Sequence, residues 1–285
     1  MLVTANDVLA DARANHYAVP AFDCVEDVMV RAVLETAEAN RAPVFIMGLG
    51  PDLEGNGWHY LSALVRAIAD HHPIPIVLHL DHATELDSIR KAVDLGFTSV
   101  MIDGSALPFA QNVEVTRAAV EIAHPHGVSV EAELGYVGGM DLEETRQADN
   151  VLTDPDEVSQ FIRQTGVDAL AVSIGTAHGV YRSLPQLNIE RLKELNAASS
   201  VPLVMHGGSG TPTDQVQEAI RHGICKLNIY ADNRAAMRRG LENAAQAMRR
   251  VDPLPYEIFG PMRSAVAAVV QEKIDLMFAA HRVKP

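Results

Sequence analysis

Eight short apolar runs alternate with segments of helical periodicity along this chain, and that alternation constrains the fold more than any other feature. The third run, residues 74–78, is bounded by prolines and then by polar residues, which is typical of a fully buried strand that ends at a site. The other runs occupy residues 18–22, 43–47, 99–102, 128–134, 169–174, 201–205 and 226–230. Strands that alternate with helices are usually parallel, and eight of them favour a closed (β/α)8 barrel. An open, doubly wound sheet would normally carry a GxGxxG turn after its first strand, and none follows residue 22.

The length of the chain fits one α/β barrel. Barrels of roughly 250 residues commonly form a single domain, and these 285 residues, 48% of them hydrophobic, show no linker or break in composition. We therefore predict a single (β/α)8 TIM barrel domain over residues 1–285, with closing C-terminal helices at 231–250 and 262–281. We also expect Thr84 to cap a helix at 84–94, and Asp154 to cap a helix that begins at Pro155.

The net charge and the cysteine content limit which partners the protein can bind and which cellular compartment it can occupy. A formal net charge of −14 argues against nucleic acid and anionic membrane surfaces as partners. The sequence has no apolar stretch long enough to span a membrane, and its N-terminus lacks the pattern of a signal peptide. Cys24 and Cys225 are predicted at opposite ends of neighbouring strands, about 15 Å apart at ~3.3 Å per residue, which is too far for a disulfide. We expect a cytoplasmic protein.

Polar side chains collect where the predicted strands end, at the rim where barrel enzymes build their active sites. His82, His178 and His206, three of the twelve histidines, follow the third, sixth and seventh strands. Three imidazoles with an open fourth position form a common catalytic zinc site. A histidine at a strand end is, taken alone, more often a hydrogen-bonded residue without a ligand. The shared placement of all three favours a metal site.

Other polar residues near this rim have two interpretations each. Asp103 and Glu133 either hold a second cation or orient the imidazoles, or else cap the helices that follow them. The segment Gly-Gly-Ser at 207–209 follows the seventh strand, and Asn228 lies on the eighth. Barrel phosphate sites are often built from these two loops, because glycines let backbone N–H groups approach the oxygens. A tight turn without a ligand is the alternative for 207–209.

Six motifs, taken together and in order, carry a resemblance to a known family. They are HLDH at 79–82, MIDGS at 101–105, EAELGYVGG at 131–139, GTAHGVY at 175–181, HGGSG at 206–210 and KLNI at 226–229. They resemble class II, zinc-dependent ketose-bisphosphate aldolases, the fructose- and tagatose-bisphosphate aldolases, from about residue 18 to residue 228. Any one motif is unspecific, whereas the set in this order is specific.

The resemblance implies a reaction and a catalytic apparatus. The protein would cleave or form a C–C bond of a ketose or ketose phosphate, with dihydroxyacetone phosphate or a related hydroxyketone as donor. His82, His178 and His206 would bind Zn²⁺, which polarises the ketone and stabilises the enediolate left by cleavage. Asp81 would be the acid/base at the substrate hydroxyl.

The resemblance also implies further ligands and partners. Asp103 and Glu133 would lie near an alternative metal position, where a second divalent or monovalent cation binds. The partner would be a small-molecule carbohydrate substrate, and related enzymes form homodimers or homotetramers. The donor phosphate would contact Gly179, Gly207, Gly208, Ser209 and Asn228.

The chain departs from the family pattern in the loop after the paired glycines at 138 and 139. The family keeps a glutamate in this loop as a second base. Here the nearest match is Asp141, whose side chain is shorter, and Glu143 and Glu144 are alternatives for the same role.

The phosphate and substrate contacts also depart from the family. Ala231 stands where the family has a phosphate-binding threonine, and losing one hydrogen bond to a charged group costs ~1.5–3 kcal/mol. Asp23 replaces a substrate-contacting asparagine, and Leu49 replaces a serine. Glu257 follows an Asp-Pro pair after which the family carries arginines, which disfavours a second phosphate. Arg182 is the nearest basic group for an anionic substrate.

These departures leave more than one function open. An aldolase that acts on an unphosphorylated or acidic carbonyl substrate is one alternative, and a non-catalytic barrel that binds metal and ligand is another. A metal-dependent hydrolase on the same barrel is disfavoured, because the first strand carries no His-x-His pair.

Overall fold

Eight parallel strands close into a barrel in the structure, a computed structural model that describes residues 1–53, 55–139, 144–145, 151–181 and 184–284. The strands are β1 (Val19–Asp23), β2 (Val44–Leu49), β3 (Ile76–Ala83), β4 (Ser99–Ile102), β5 (Ser129–Leu134), β6 (Ala169–Val172), β7 (Leu203–Met205) and β8 (Ile224–Ile229). Each strand pairs in parallel with the next, and β8 pairs back onto β1. The predicted (β/α)8 barrel is confirmed.

Helices connect the strands around the outside of the barrel. Those in the described ranges are α1 (Ala5–Asn15), α2 (Asp27–Ala39), α3 (Gly57–Ile68), α4 (Leu86–Asp94), α5 (Phe109–Ala123), α6 (Pro155–Thr165), α7 (Ile189–Ala198), α8 (Thr213–Arg221), α9 (Ala231–Ala247) and α10 (Pro255–Leu276). Short 3-10 helices lie at Gly50–Asp52, Ala69–His71 and His124–His126. Outside the barrel, the two-residue strands Glu144–Thr145 and Val180–Tyr181 pair with each other.

Helix α6 shows how the local sequence builds these elements. Its buried residues Val158, Phe161 and Ile162 have the spacing of an amphipathic helix whose apolar stripe faces the barrel. Asp154 caps the helix by accepting a hydrogen bond from the N–H of Asp156 (3.1 Å), and Pro155 is the first helical residue. Both terminal features are as predicted.

The predicted start of α4 is wrong. The helix begins at Leu86 with Glu85 as its N-cap, and Thr84 does not cap it. The cause is β3, which continues to Ala83 and whose last carbonyl accepts a hydrogen bond from the N–H of Asp103. Thr84 is therefore needed for the connection and lies outside the helix.

The predicted start of α10, residue 262, is also wrong. The helix begins at Pro255, and Glu257 caps it by accepting a hydrogen bond from the N–H of Leu254 (2.7 Å). Pro261 lies inside α10, although an interior proline normally costs ~3 kcal/mol. The helix packs closely on α9 at this point, because a Cβ at Gly240 would lie 2.4 Å from Cα of Met262.

Charged side chains fill part of the barrel interior below the rim. Lys226 is fully buried, and its Nζ donates hydrogen bonds to both carboxylate oxygens of Glu131 (2.9 and 3.1 Å). Phe45 forms an apolar wall here, with its ring 5.4 Å from Lys226 Nζ and 5.8 Å from the ring of His79. The ion pair of Lys226 on β8 with Glu131 on β5 therefore connects two strands that are not neighbours in the barrel.

The two cysteines are buried and unpaired, as predicted. No helix in the described ranges has the length and apolar character needed to cross a membrane.

Removal of the Lys226 ammonium tests how much the barrel depends on this pair. We expect Lys226→Met to lower the free energy of unfolding by ~3–5 kcal/mol, because Glu131 is left as an uncompensated buried charge. The double variant Lys226→Met/Glu131→Gln should recover much of this loss. Urea unfolding followed by circular dichroism, in the presence of a chelator, measures both changes.

The matched control is Lys193→Met, which removes an exposed Lys–Glu190 pair (2.6 Å, lysine side chain 43% exposed). Exposed pairs contribute ~0–1 kcal/mol. If Lys226→Met costs no more than this control, the buried pair does not stabilise the barrel.

Candidate active site

The end of β3 brings two neighbouring residues, Asp81 and His82, to the same rim. A regular strand would point them to opposite faces. The pairing of β3 with β4 shifts register between Leu80 and Ala83, and His82 adopts a left-handed φ of 44°. Such a conformation costs ~1–3 kcal/mol and is found most often at functional sites. Local backbone strain therefore creates the site.

The three predicted imidazoles converge above the barrel. The ring of His82 lies 4.8 Å from that of His178 and 4.5 Å from that of His206, and the last two are 5.7 Å apart. One nitrogen of each ring lies within 4.8 Å of the others, in an arrangement that is able to hold a metal ion. His82 forms a second such group with Asp103 and Glu133.

Hydrogen bonds fix which nitrogen of each imidazole faces the centre. His82 Nδ1 donates to Asp103 (2.8 Å), and His206 Nε2 donates to Glu131 (2.9 Å). The remaining nitrogens, His82 Nε2 and His206 Nδ1, face each other at 2.7 Å. The His178 ring hydrogen-bonds the backbone of Val137. Zinc sites use this carboxylate–imidazole arrangement, so the donor set fits Zn²⁺.

The pKa values in this cluster are far from their ordinary ranges. Burial opposes the charged form of His82, but the charge of Asp81 and the hydrogen bond to Asp103 outweigh it and raise the pKa of His82 to about 10. Burial and the charge of His82 lower the pKa of His178 to about 3. The same two causes hold the pKa of His206 well below its usual range. The cluster therefore carries one positive charge, on His82.

The pKa values of two neighbouring carboxyl groups shift in opposite directions. Burial works to raise the pKa of Asp103, but the hydrogen bond and charge of His82 hold it well below its usual range. Burial and the neighbouring charge of Asp103 raise the pKa of Glu133 to about 8. Glu133 accepts a hydrogen bond from the N–H of Val137 (3.0 Å).

Asp81 lies beside the imidazoles in a buried and oriented position. The side-chain amide of Asn228 donates to both of its oxygens (3.1 and 3.2 Å). Its Oδ2 is 4.0 Å from His82 Nε2, and its Oδ1 is 3.8 Å from His79 Nε2. Burial raises the pKa of Asp81. A carboxylate that is held in place and made more basic by burial is suited to accept a proton.

Two cavities meet at the imidazoles. The smaller, about 20 Å³, is lined by residues that include Asp23, Asp81, Gly179, Gly207, Gly208, Ser209 and Asn228. Tyr181 joins its two glycine loops, because its hydroxyl accepts a hydrogen bond from Ala177 N–H (2.9 Å) and donates to the carbonyl of Gly207 (2.8 Å). Gly207 has a φ of 67°, and a Cβ there would lie 2.4 Å from the Ala177 carbonyl oxygen. The second cavity, about 320 Å³, opens toward the loop after β2.

Comparison with known proteins connects this geometry to a family. Residues 3–282 match the family model for fructose-bisphosphate aldolase class-II. This chain belongs to that family. A fructose-bisphosphate aldolase of Staphylococcus epidermidis is 38% identical over 289 residues, and one of Staphylococcus aureus is 37% identical, each with 99% of both chains covered. The crystal structure of the YdjI aldolase of Escherichia coli K12 has a TM-score of 0.89 and 33% identity, with all of both chains covered.

This class II aldolase is a lyase that acts on a small-molecule carbohydrate. Its predicted site residues fall into three groups. The predicted metal and acid/base residues, His82, His178, His206, Asp103, Glu133 and Asp81, lie together at the rim, and their roles stay predictions. The suggestion that Asp103 and Glu133 cap the following helices is wrong, because the N-caps of α5 and α6 are Pro108 and Asp154.

The predicted substrate residues are only partly described by the structure. Those around the small cavity lie together, but the amide nitrogen of Asn228 bonds to Asp81. Ser209 Oγ accepts a hydrogen bond from the N–H of Asp232, at the start of α9 (3.2 Å). Asp141 and Arg182, with the alternative Glu143, lie outside the described residues. The side chain of Glu144 also lies outside them.

Sequence reasoning missed the residues that support the site from below. Glu131, Lys226 and His79 received no role, although each lies two residues before a predicted site residue on the same strand. Side chains at i and i+2 share one face of a strand, so the spacing in HLD, EAE and KLN was an available signal. Asp52 and Tyr230, which line the second cavity, lie outside the strands, so this spacing could not have indicated them.

Binding of a metal ion should release the proton that keeps His82 charged. Because the pKa of His82 is about 10 in the metal-free aldolase, this ring must lose a proton at neutral pH, whereas His178 and His206 are already neutral. We expect the apparent zinc affinity to rise about tenfold per pH unit between roughly pH 6 and 8. Chelator competition at several pH values measures this slope.

Asp103→Asn is the informative variant for this slope. Removing the charge that holds the His82 proton should make the pH dependence shallower, and exchanging the charged acceptor for the weaker amide oxygen should lower zinc affinity by up to ~10–100-fold at the upper pH. Asp87→Asn, an exposed site on α4, is the control. A zinc affinity that does not change with pH would contradict the assignment of the charge to His82.

Proposed function

We propose that this class II aldolase is zinc-dependent and cleaves or forms a C–C bond of a ketose or ketose phosphate, with dihydroxyacetone phosphate or a related hydroxyketone as donor. One observation carries the proposal: three oriented imidazoles and a buried carboxylate share the mouth of the barrel. His82, His178 and His206 would hold the ion. Zinc bound there would supply Lewis-acid chemistry toward the substrate carbonyl.

Asp81 is the proposed acid/base at the hydroxyl of the bond that breaks. In cleavage it takes the hydroxyl proton, and in condensation it returns that proton. Two observations support this role. Asn228 holds both carboxylate oxygens, so the side chain is oriented before substrate arrives. Burial raises the pKa of Asp81, which makes the carboxylate a stronger base.

The second proton transfer, at the donor carbon, requires another base. We assign it to a carboxylate of the loop after Gly139, with Asp141 first and Glu143 or Glu144 as alternatives. Asp103 and Glu133 would bind a second cation, or would orient the imidazoles when only one ion is bound. Their shared position with His82 supports both uses.

The donor phosphate would bind the backbone of Gly179, Gly207 and Gly208, with Ser209, Asn228 and Arg182 as further contacts. The first five of these residues line the small cavity. Its volume of about 20 Å³ accommodates roughly one water, so a phosphate group enters only if the two glycine loops move apart. This tightness, together with Ala231, favours an unphosphorylated hydroxyketone as the second candidate donor.

We further propose a homodimer or homotetramer in the cytoplasm. The exposed apolar side chains of Val251, Tyr256 and Phe259 around the start of α10 support self-association. The unpaired thiols of Cys24 and Cys225 support a reducing compartment.

Loss of the Asp81 carboxylate should abolish turnover and leave the metal in place. We expect Asp81→Asn to lower the rate of ketose cleavage about 10²–10⁴-fold, the usual contribution of general acid–base catalysis. Zinc content should stay near one ion per chain, because Asp81 is not one of the three proposed zinc ligands. Asp87→Asn is the matched control. Near-normal cleavage by the zinc-loaded variant would overturn the role of Asp81.

The reaction class itself is tested by proton exchange. The zinc-loaded protein is incubated in D₂O with dihydroxyacetone phosphate, and separately with dihydroxyacetone, and the hydroxymethylene signal is followed by NMR with and without chelator. Chelator-sensitive exchange supports the donor assignment and identifies the donor. Exchange with neither ketone, or exchange that survives the chelator, overturns the proposed donor chemistry.

A further inference from the structure

The larger cavity is where the part of the substrate beyond the reacting carbon must lie. It shares His82, His178 and Tyr230 with the small cavity and extends to the opposite side, toward the loop after β2. Its volume, about 320 Å³, is at the lower end of the ~300–1,000 Å³ typical of small-molecule sites. The lining residues are Leu49, Pro51, Asp52, His82, Asp103, Tyr136, Val137, Gly139, His178 and Tyr230.

The charged side chains of this lining are unusual for a site that receives a phosphorylated aldehyde. Asp52 and Asp103 contribute carboxylates, and the described lining residues include no lysine or arginine. His82 is a proposed zinc ligand, and its Nδ1 is already paired with Asp103 (2.8 Å). Among the described lining residues, Asp52 places a carboxylate at the end of the cavity that faces the loop after β2.

Tyr230 holds Asp52 in this position. Its phenol donates a short hydrogen bond to Asp52 Oδ2, and its side chain is 8% exposed. The guanidinium carbon of Arg234 lies 4.4 Å from the centre of the Tyr230 ring, so the ring is held between the cavity and α9. Burial and the bond to Asp52 raise the pKa of Tyr230, which keeps the phenol a donor at neutral pH.

A carboxylate wall treats two kinds of acceptor differently. Carboxylate oxygens accept hydrogen bonds from sugar hydroxyls, and such charge-assisted bonds are among the stronger ones. The same oxygens repel a phosphate dianion, and like charges placed together are a common device for rejecting the wrong ligand. Repulsion is poorly screened in a partly enclosed cavity.

We propose that this cavity binds the aldehyde acceptor and that Asp52, positioned by Tyr230, selects an uncharged polyhydroxy aldehyde against a phosphorylated one. This inference rests on the proposed aldolase function and adds the substrate class at the acceptor end. Asp52 is the specificity-determining residue, and Tyr230 is its positioning residue.

The test measures condensation with one donor and two acceptors. The zinc-loaded enzyme is given the donor that exchanges protons in D₂O, together with glyceraldehyde or glyceraldehyde 3-phosphate, and kcat/KM is measured for each acceptor. We expect the wild type to favour the uncharged acceptor by about tenfold or more, since like-charge repulsion acts only on the phosphorylated one.

Asp52→Asn keeps the size of the side chain and an oxygen that accepts the Tyr230 hydrogen bond, but removes the charge. We expect it to raise kcat/KM for the phosphorylated acceptor, so that the preference falls by about tenfold. Tyr230→Phe should weaken the preference by a smaller factor, since the carboxylate stays but loses its positioning bond. Asp87→Asn makes the same change in net charge outside the cavity and should leave the preference unchanged.

The outcomes separate this inference from the function on which it rests. If no donor exchanges protons, the proposed function fails, and this inference fails with it. If exchange occurs and the wild type prefers glyceraldehyde 3-phosphate, only the inference is overturned. The same holds if a folded, exchange-competent Asp52→Asn enzyme keeps the wild-type preference.

Discussion

A buried ion pair inside the barrel is the interaction on which the site depends. Lys226 and Glu131 are almost fully excluded from water, and Glu131 in turn accepts the hydrogen bond from His206 Nε2. An unpaired carboxylate at this depth would be neutralised or would move. Because Lys226 holds Glu131 in place through two hydrogen bonds, Glu131 accepts from His206 Nε2 and His206 presents Nδ1 to the centre. Residues of β5 and β8 therefore fix the tautomer of His206, the imidazole that directly follows β7.

The same logic of paired charges operates at the rim. Asp103 stabilises the positive charge of His82, and that charge favours the ionised form of Asp81 beside it. At Glu133, burial and the charge of Asp103 outweigh the charge of His82 and raise the pKa to about 8. Asp103 and Glu133 therefore differ in proton affinity although both lie beside the same metal-binding cluster. Carboxyl groups with different proton affinities are what acid–base chemistry at a metal site requires. The strained backbone of His82 makes this arrangement reachable from a single strand end.

The fold and the centre of the site could be predicted from the sequence, whereas their supports could not. Apolar runs and helical periodicity are local signals, so the barrel and the three histidines at its rim were accessible. The register shift before Ala83 and the early start of α10 were not, because each is stabilised by contacts with another element. The pairing of Glu131 with Lys226 joins residues far apart in the chain. The alternation of side chains along each strand indicated that Glu131 and Lys226 point into the barrel. Their contact with each other depends on closure of the barrel, which the sequence of neither strand shows.

The residues proposed to select the acceptor are separate from those proposed to carry out the reaction. Asp81 and His82 lie in β3 and His206 directly follows β7, where the closed sheet limits movement, whereas His178 lies in the loop after β6. Asp52 lies in a 3-10 helix after β2, and Tyr230 directly follows β8, so both can change without disturbing the barrel. A carboxylate at this edge changes which acceptor is tolerated and requires no change in the residues around the imidazoles. An acidic protein with a catalytic centre of the aldolase type can in this way act on uncharged sugars.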